Sequence, residues 1–109
     1  MSEQASNPPP EHLSEAARSH WDKIVREYAI DCAACLILTS TLEAWDLRET
    51  ARLAIAEQGA VLKDRFGQQK KNPWVEIERD QTLIIQRGFR LLGFDQEPRG
   101  GNQGSLSFG

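Results

Sequence analysis

Apolar residues recur at three- and four-residue spacing in three stretches of the chain, and each stretch opens on a residue suited to cap a helix. Ala17, Trp21, Ile24, Val25 and Tyr28 follow Ser14, whose hydroxyl can accept from the first free amides, so the pattern predicts a first helix over about residues 15 to 28. Asp31 precedes a much longer run that includes Leu38, Leu42, Trp45 and Ile55 and ends at Gly59, a residue able to take the left-handed position after a helix. The apolar residues Leu36, Ile37, Leu38, Ala44, Leu47, Ala51 and Ala54 of this run spread beyond one narrow stripe, which predicts contacts on more than one side of the helix. Asn72 and Pro73 open the third run, with asparagine as cap and proline at the first helical position, where its missing N–H costs nothing. Trp74, Ile77, Ile84, Ile85, Phe89 and Leu92 form the apolar face of this helix, which stops at Gly93. Gly88 inside it costs about 1 kcal/mol relative to alanine unless close packing offsets the loss.

Between Ala60 and Lys71 the helical periodicity fails. There AVLKD and QQKK flank Arg65-Phe66-Gly67, which predicts a short two-stranded excursion with glycine at its turn, or a loop of the same length. Residues 1–12 are polar and carry Pro8, Pro9 and Pro10, so they read as a flexible, extended arm. Residues 95–109, DQEPRGGNQGSLSFG, hold too little apolar content to order themselves and read as a disordered tail. The expected fold is therefore mainly α. It comprises a short N-terminal helix followed by a long antiparallel helical hairpin, interrupted by a small basic β-like excursion, all within residues 13–94.

Composition adds an expectation about assembly. A chain of 109 residues with 39% hydrophobic content can bury only a modest core, and the second helix has more apolar circumference than one neighbouring helix can cover. A homo-oligomer follows as the expectation, with a closed ring as its form. The N-terminus shows no apolar run after a basic region, and no stretch approaches the length needed to cross a bilayer, so the reading is a soluble cytoplasmic protein without membrane contact. Cys32 and Cys35 lie too close together to staple distant parts of a fold.

Charge is more informative in its distribution than in its sum. The formal net charge of -3 carries no overall signature of a nucleic-acid binder. Residues 60–72, however, hold Lys63, Arg65, Lys70 and Lys71 against the single acid Asp64, a balance of +3, while the remainder of the chain sums to -6.

No motif of catalysis stands out. Cys32-Ala-Ala-Cys35 has the spacing of redox and metal sites, but no strand precedes it, no second such pair exists and Asp31 opposes a thiolate, so two small residues on an apolar helix face is the better reading. A redox or zinc protein is the competing one. His12 and His20 read as surface residues, and neither pairs at metal-ligand spacing. Glu76, Glu78 and Asp80 fall on different sides of a helix, and the glycines form no nucleotide cradle. The expectation is a non-enzyme without metal or cofactor. The basic excursion remains as the candidate site: Lys63, Arg65, Lys70 and Lys71 could neutralise phosphates, with Asn72 and the adjacent helix N-terminus adding amide donors. A solvated loop whose charges serve solubility fits the same residues.

The order of features is also informative. PPPEHLSEAARSHWDKIVREY, LEAWDLRETARLAIAEQGAVL, FGQQKKNPWVEIERD and LLGF follow one another over residues 8–94, and in that order the chain resembles the phage terminase small subunits, in the short family with a proline-led HLS opening and an asparagine-proline step before the last helix. The pattern carries over to Pro9, His12, Leu13, Ser14, Trp21, Gly59, Gly67, Asn72, Pro73 and Gly93. The tail lacks the basic character the family often has there. The resemblance implies a DNA-packaging adaptor of a phage or prophage, acting in the host bacterial cytoplasm. Such adaptors bind double-stranded DNA, assemble into rings and engage the terminase large subunit, which carries the ATPase and nuclease. By the same resemblance the lysine pair would contact phosphates from every subunit of a ring. A helical interaction module with no DNA role is the alternative.

Overall fold

The computed structural model describes residues 8–94, and the expectations for residues 1–7 and for the tail at 95–109 lie outside them. Three helices and one two-stranded sheet make up the fold: α1 (Glu15–Glu27), α2 (Cys32–Gln58), β1 (Val61–Lys63), β2 (Gln69–Lys71) and α3 (Pro73–Leu91). α2 and α3 run against each other as a helical hairpin, α1 lies along α2, and the strands bridge the two long helices at the far end.

Each helix begins where the sequence supplies a cap. Ser14, Asp31 and Asn72 accept from the amides of Ala17, Ala34 and Trp74 respectively, which satisfies donors that no helical carbonyl can reach. Ser14 is held in turn by Asp46 of α2, which accepts from both its backbone N–H and its hydroxyl. The cap thus docks the start of α1 on the middle of α2.

Two stripes on α2 account for Leu38, Ala44 and Ala51 among its apolar residues, while Leu36 and Leu47 are exposed. Leu38 and Leu42, with Trp45 beside them, face α1 and enclose Leu13, Ala17, Trp21, Ile24 and Tyr28 in the main core. The second stripe, Thr41, Ala44, Arg48 and Ala51, is buried and recurs at three- and four-residue spacing along the seam with α3. Small residues let the helices come close there. A Cβ built on Gly88 would lie 1.9 Å from the Thr41 Oγ1, so the glycine in α3 is required by the close approach of α2.

The core is closed by a residue that lies beyond the helical periodicity. Gly93 adopts a φ of 82°, the Phe94 N–H donates to the Phe89 carbonyl and the Gly93 N–H to that of Arg90. These are the two bonds of a Schellman stop, whose apolar contact is usually between the residue after the glycine and the third residue from the helix end. Phe94 fills that role: its ring sits 5.3 Å from that of Phe89 and 4.3 Å from that of Tyr28.

Four expectations are corrected. Part of the N-terminal arm is docked: Leu13 N–H donates to the Pro10 carbonyl, and His12 Nε2 lies 2.7 Å from a Glu43 carboxylate oxygen of α2. His20 is half-buried, its ring edge-on to Trp45 at 4.8 Å, because one turn of α1 places it over the helix it packs on. Ile84, assigned to the apolar face of α3, is exposed, since the face that meets α2 is centred on Ile85 and Gly88. Cys32 is exposed as well, and only Cys35 packs against the core.

Candidate nucleic-acid interface

The basic segment folds into a β-hairpin whose register pairs Val61 with Lys71, Leu62 with Lys70 and Lys63 with Gln69. Its turn is built by Asp64. The Asp64 N–H donates to the Gln68 carbonyl, its carbonyl accepts from Gly67, and its Oδ1 accepts from the amides of Phe66 and Gln68. Aspartate at the first turn position and glycine at the fourth are the residues such turns favour. Gly67 has a φ of 82°, which a side chain would resist.

Directly paired residues of an antiparallel ladder project to the same side, and successive residues to opposite sides. Val61, Lys63, Gln69 and Lys71 therefore share one face of the hairpin, while Leu62 and Lys70 share the other. The two adjacent lysines do not act as a pair, and the positive charge wraps around the hairpin. Lys63, Arg65, Lys70 and Lys71 are all exposed. Lys71 Nζ lies 3.7 Å from Glu76 of α3, an exposed pairing that offsets part of its charge. Arg65 sits over the Phe66 ring, 5.0 Å from its centroid.

Asn72 belongs to the fold and is withdrawn from the candidate DNA-binding residues. It is fully buried, at 0% exposure. Its Nδ2 donates to the Gly59 carbonyl and to Gln58 Oε1, its Oδ1 accepts from Trp74, its backbone N–H donates to Ala60, and its carbonyl accepts from Val75. Every polar group of Asn72 thus has a partner, and the residue ties the end of α2, the base of the hairpin and the start of α3 together. The amide donors predicted at the α3 N-terminus are used up with it, because Trp74 and Val75 donate to Asn72 and Pro73 has no N–H. A motif of asparagine, proline and an apolar residue identifies a cap; it carries no sign that the same side chain also grips Gly59, thirteen residues back.

The Cys32–Cys35 pair sits at the opposite end of α2. Burial pushes the Cys35 thiol up, and the neighbouring Cys32 and Asp31 push it further, which is the reverse of what an attacking thiolate needs. Among the described residues no three histidine, cysteine, aspartate or glutamate side chains converge as they would on a metal ion. No helix among them is long and apolar enough to cross a membrane.

Two features escape sequence reasoning. Arg48 is buried in the α2–α3 seam, its Nε 4.0 Å from Glu49 and without a hydrogen-bond partner. Desolvation, then Arg52, lowers its pKa, while Glu49 and Glu78 act in the other direction. Its spacing from Ala44 and Ala51 puts it on their stripe, but a charged residue type gives no sign that the position is buried. Beside the upper seam, Leu36, Ile37 and Ser40 of α2 and Ile84, Gly88 and Leu91 of α3 line an apolar groove. Leu36 is 71% and Leu91 65% exposed.

No family model matches the chain, and neither a curated protein nor a solved structure matches it.

Proposed function

We propose that this chain is a terminase small subunit of a tailed phage or prophage, a non-enzymatic adaptor that binds double-stranded DNA in the host cytoplasm and engages the terminase large subunit. The observation that carries the DNA-binding part is the hairpin: three of its four exposed cations, Lys63, Arg65 and Lys70, have no carboxylate partner among the described residues. Positive charge presented this way suits phosphates, whose contacts position a protein without reading sequence. A ring of such subunits sums its counterion release, so a chain of net charge -3 binds an acidic polymer through a locally positive rim.

The groove beside the upper seam supports the oligomeric part. Leu36, Leu83, Ile84 and Leu91 leave apolar side chains in water on the described surface, and a neighbouring subunit would remove them from it. The same groove favours the second reading, a helical interaction module with no DNA role.

Lys63→Glu with Lys70→Glu reverses one unpartnered charge on each hairpin face and spares the Lys71–Glu76 pair. Duplex binding should weaken for any sequence, and its dependence on salt should become shallower by roughly 0.9 in the logarithmic slope for each phosphate the variant no longer neutralises. Light scattering on the same variant should give an unchanged particle size. Unchanged DNA affinity would leave the interaction module as the better reading.

A further inference from the structure

The residue at the tip of the hairpin is unlike its neighbours. Phe66 is 74% exposed, at a turn position where polar residues and glycine predominate. It does not hang loosely. Its own N–H is held by Asp64 Oδ1 at 2.8 Å, and the turn around it is closed by the bonds of Asp64, Gly67 and Gln68. The ring is therefore presented on a fixed support, at little ordering cost to any partner it enters.

Its surroundings specify the kind of partner. The Arg65 guanidinium lies over the ring, and Lys63 and Lys70 stand behind it on opposite faces of the ribbon. An apolar ring led by a guanidinium and followed by ammonium groups on both sides is complementary to a stack of bases flanked by two phosphate backbones.

We propose that Phe66 is a wedge, and that the tip of the hairpin enters the minor groove of double-stranded DNA and partly unstacks a base step, with Arg65 in the groove and Lys63 and Lys70 on the two backbones. This deepens the DNA-binding reading above and rests on it. Bases unstack most readily at pyrimidine–purine steps. The wedge thus supplies a preference for deformable sequence that phosphate contacts by themselves lack, and it bends the duplex where it enters.

The test uses the full chain with short duplexes labelled at both ends. One duplex carries a central TA step within stiff A-tracts and the other an uninterrupted A-tract, and affinity and end-to-end energy transfer are read together. Wild-type protein should prefer the TA duplex and shorten its end-to-end distance. Phe66→Ala should weaken TA binding roughly 10- to 100-fold, abolish the shortening and the preference, and keep the salt slope. Phe66→Trp, which retains a stacking face, should restore all three. If Phe66→Ala binds and bends like wild type while the Lys63→Glu, Lys70→Glu variant loses affinity, the wedge is overturned and phosphate contact stands by itself. If that charge-reversed variant also binds as wild type, the DNA-binding reading falls along with the wedge. Binding to phosphatidylserine vesicles that depends on Phe66, with no duplex binding, would overturn it in favour of a lipid surface.

Discussion

The two ends of the α2–α3 hairpin are held together by different physics. At the end where α1 lies, order comes from burial: Trp21, Ile24, Leu38 and Leu42 are at most 2% exposed, and three aromatic rings close the base. At the other end almost nothing apolar is buried. Val61 and Phe66 are exposed, and shape comes from hydrogen bonds converging on two residues, Asp64 in the turn and Asn72 at its base. An end fixed by hydrogen bonds can leave its side chains facing water, so this is where cations and an aromatic ring can be offered to a partner without cost to the core. A core-built end has no such freedom, because each of its side chains is committed to packing.

The sharpest way to break the contrast is at the packed end. Gly88→Ala brings a Cβ to 1.9 Å from Thr41 Oγ1 and 3.0 Å from its Cβ and Cγ2. Overpacking costs typically 1–3 kcal/mol, and a contact as short as 1.9 Å to a β-branched side chain puts this case at the upper end, about 3 kcal/mol, against the roughly 1 kcal/mol that alanine gains in helix propensity. We expect a net loss of about 2 kcal/mol in denaturant unfolding at fixed protein concentration. Adding Thr41→Ala should recover about half, since it removes the nearest clash and leaves the 3.0 Å approach to the Cβ.

At the polar end the corresponding residue is Asn72. Asn72→Ala removes the cap on Trp74 and the Nδ2 donor to the Gly59 carbonyl, both made from a fully buried side chain, for an expected loss of about 1.5 kcal/mol. Hydrogen exchange should localise that loss, with protection falling first at the hairpin amides while the α1 core keeps its own.

A smaller effect separates the ends by pH. Desolvation lowers the pKa of His20 below its usual 6.5, Lys23 lowers it further, and Glu49 opposes both. The folded state therefore binds this proton less readily than the unfolded chain. Stability is unaffected while both forms are neutral above about pH 6.5, and it declines as pH falls below that value. His20→Phe keeps a ring against Trp45 and should flatten this part of the pH profile relative to wild type. No histidine lies in the hairpin, so its protection should not follow the same dependence.

Legibility in the sequence follows the same division. Helix periodicity and caps mark all three helices, and Gly93 marks the last stop, because those signals are local. Phe94 escapes them as a core residue since it follows the helix it closes, and the Thr41–Gly88 approach is legible only as close packing somewhere along α3. At the polar end, glycine and the basic residues mark an excursion. The opposite faces of Lys70 and Lys71 follow from strand alternation once the excursion is a hairpin and not a loop, whereas the role of Asn72 as a bracket back to Gly59 is a contact between residues thirteen apart that spacing along the chain does not encode.

The smallest expected effect on stability belongs to the residues with the largest expected effect on binding. Lys63 and Lys70 are exposed and make no ion pair with any described residue, so Lys63→Glu with Lys70→Glu disturbs no ion pair of the fold. Surface substitutions of this kind usually stay within about 0.5 kcal/mol. The added acidity works slightly against the fold, because the chain already carries -3 and four more negative units raise its self-repulsion, a penalty that salt screens. Denaturant midpoints of variant and wild type should therefore differ slightly at low salt and coincide at high salt, while DNA affinity separates the two most strongly at low salt. A large drop in stability that salt leaves in place would mean that these lysines hold the hairpin on the helices, and the division between a packed end and a presented end would fail.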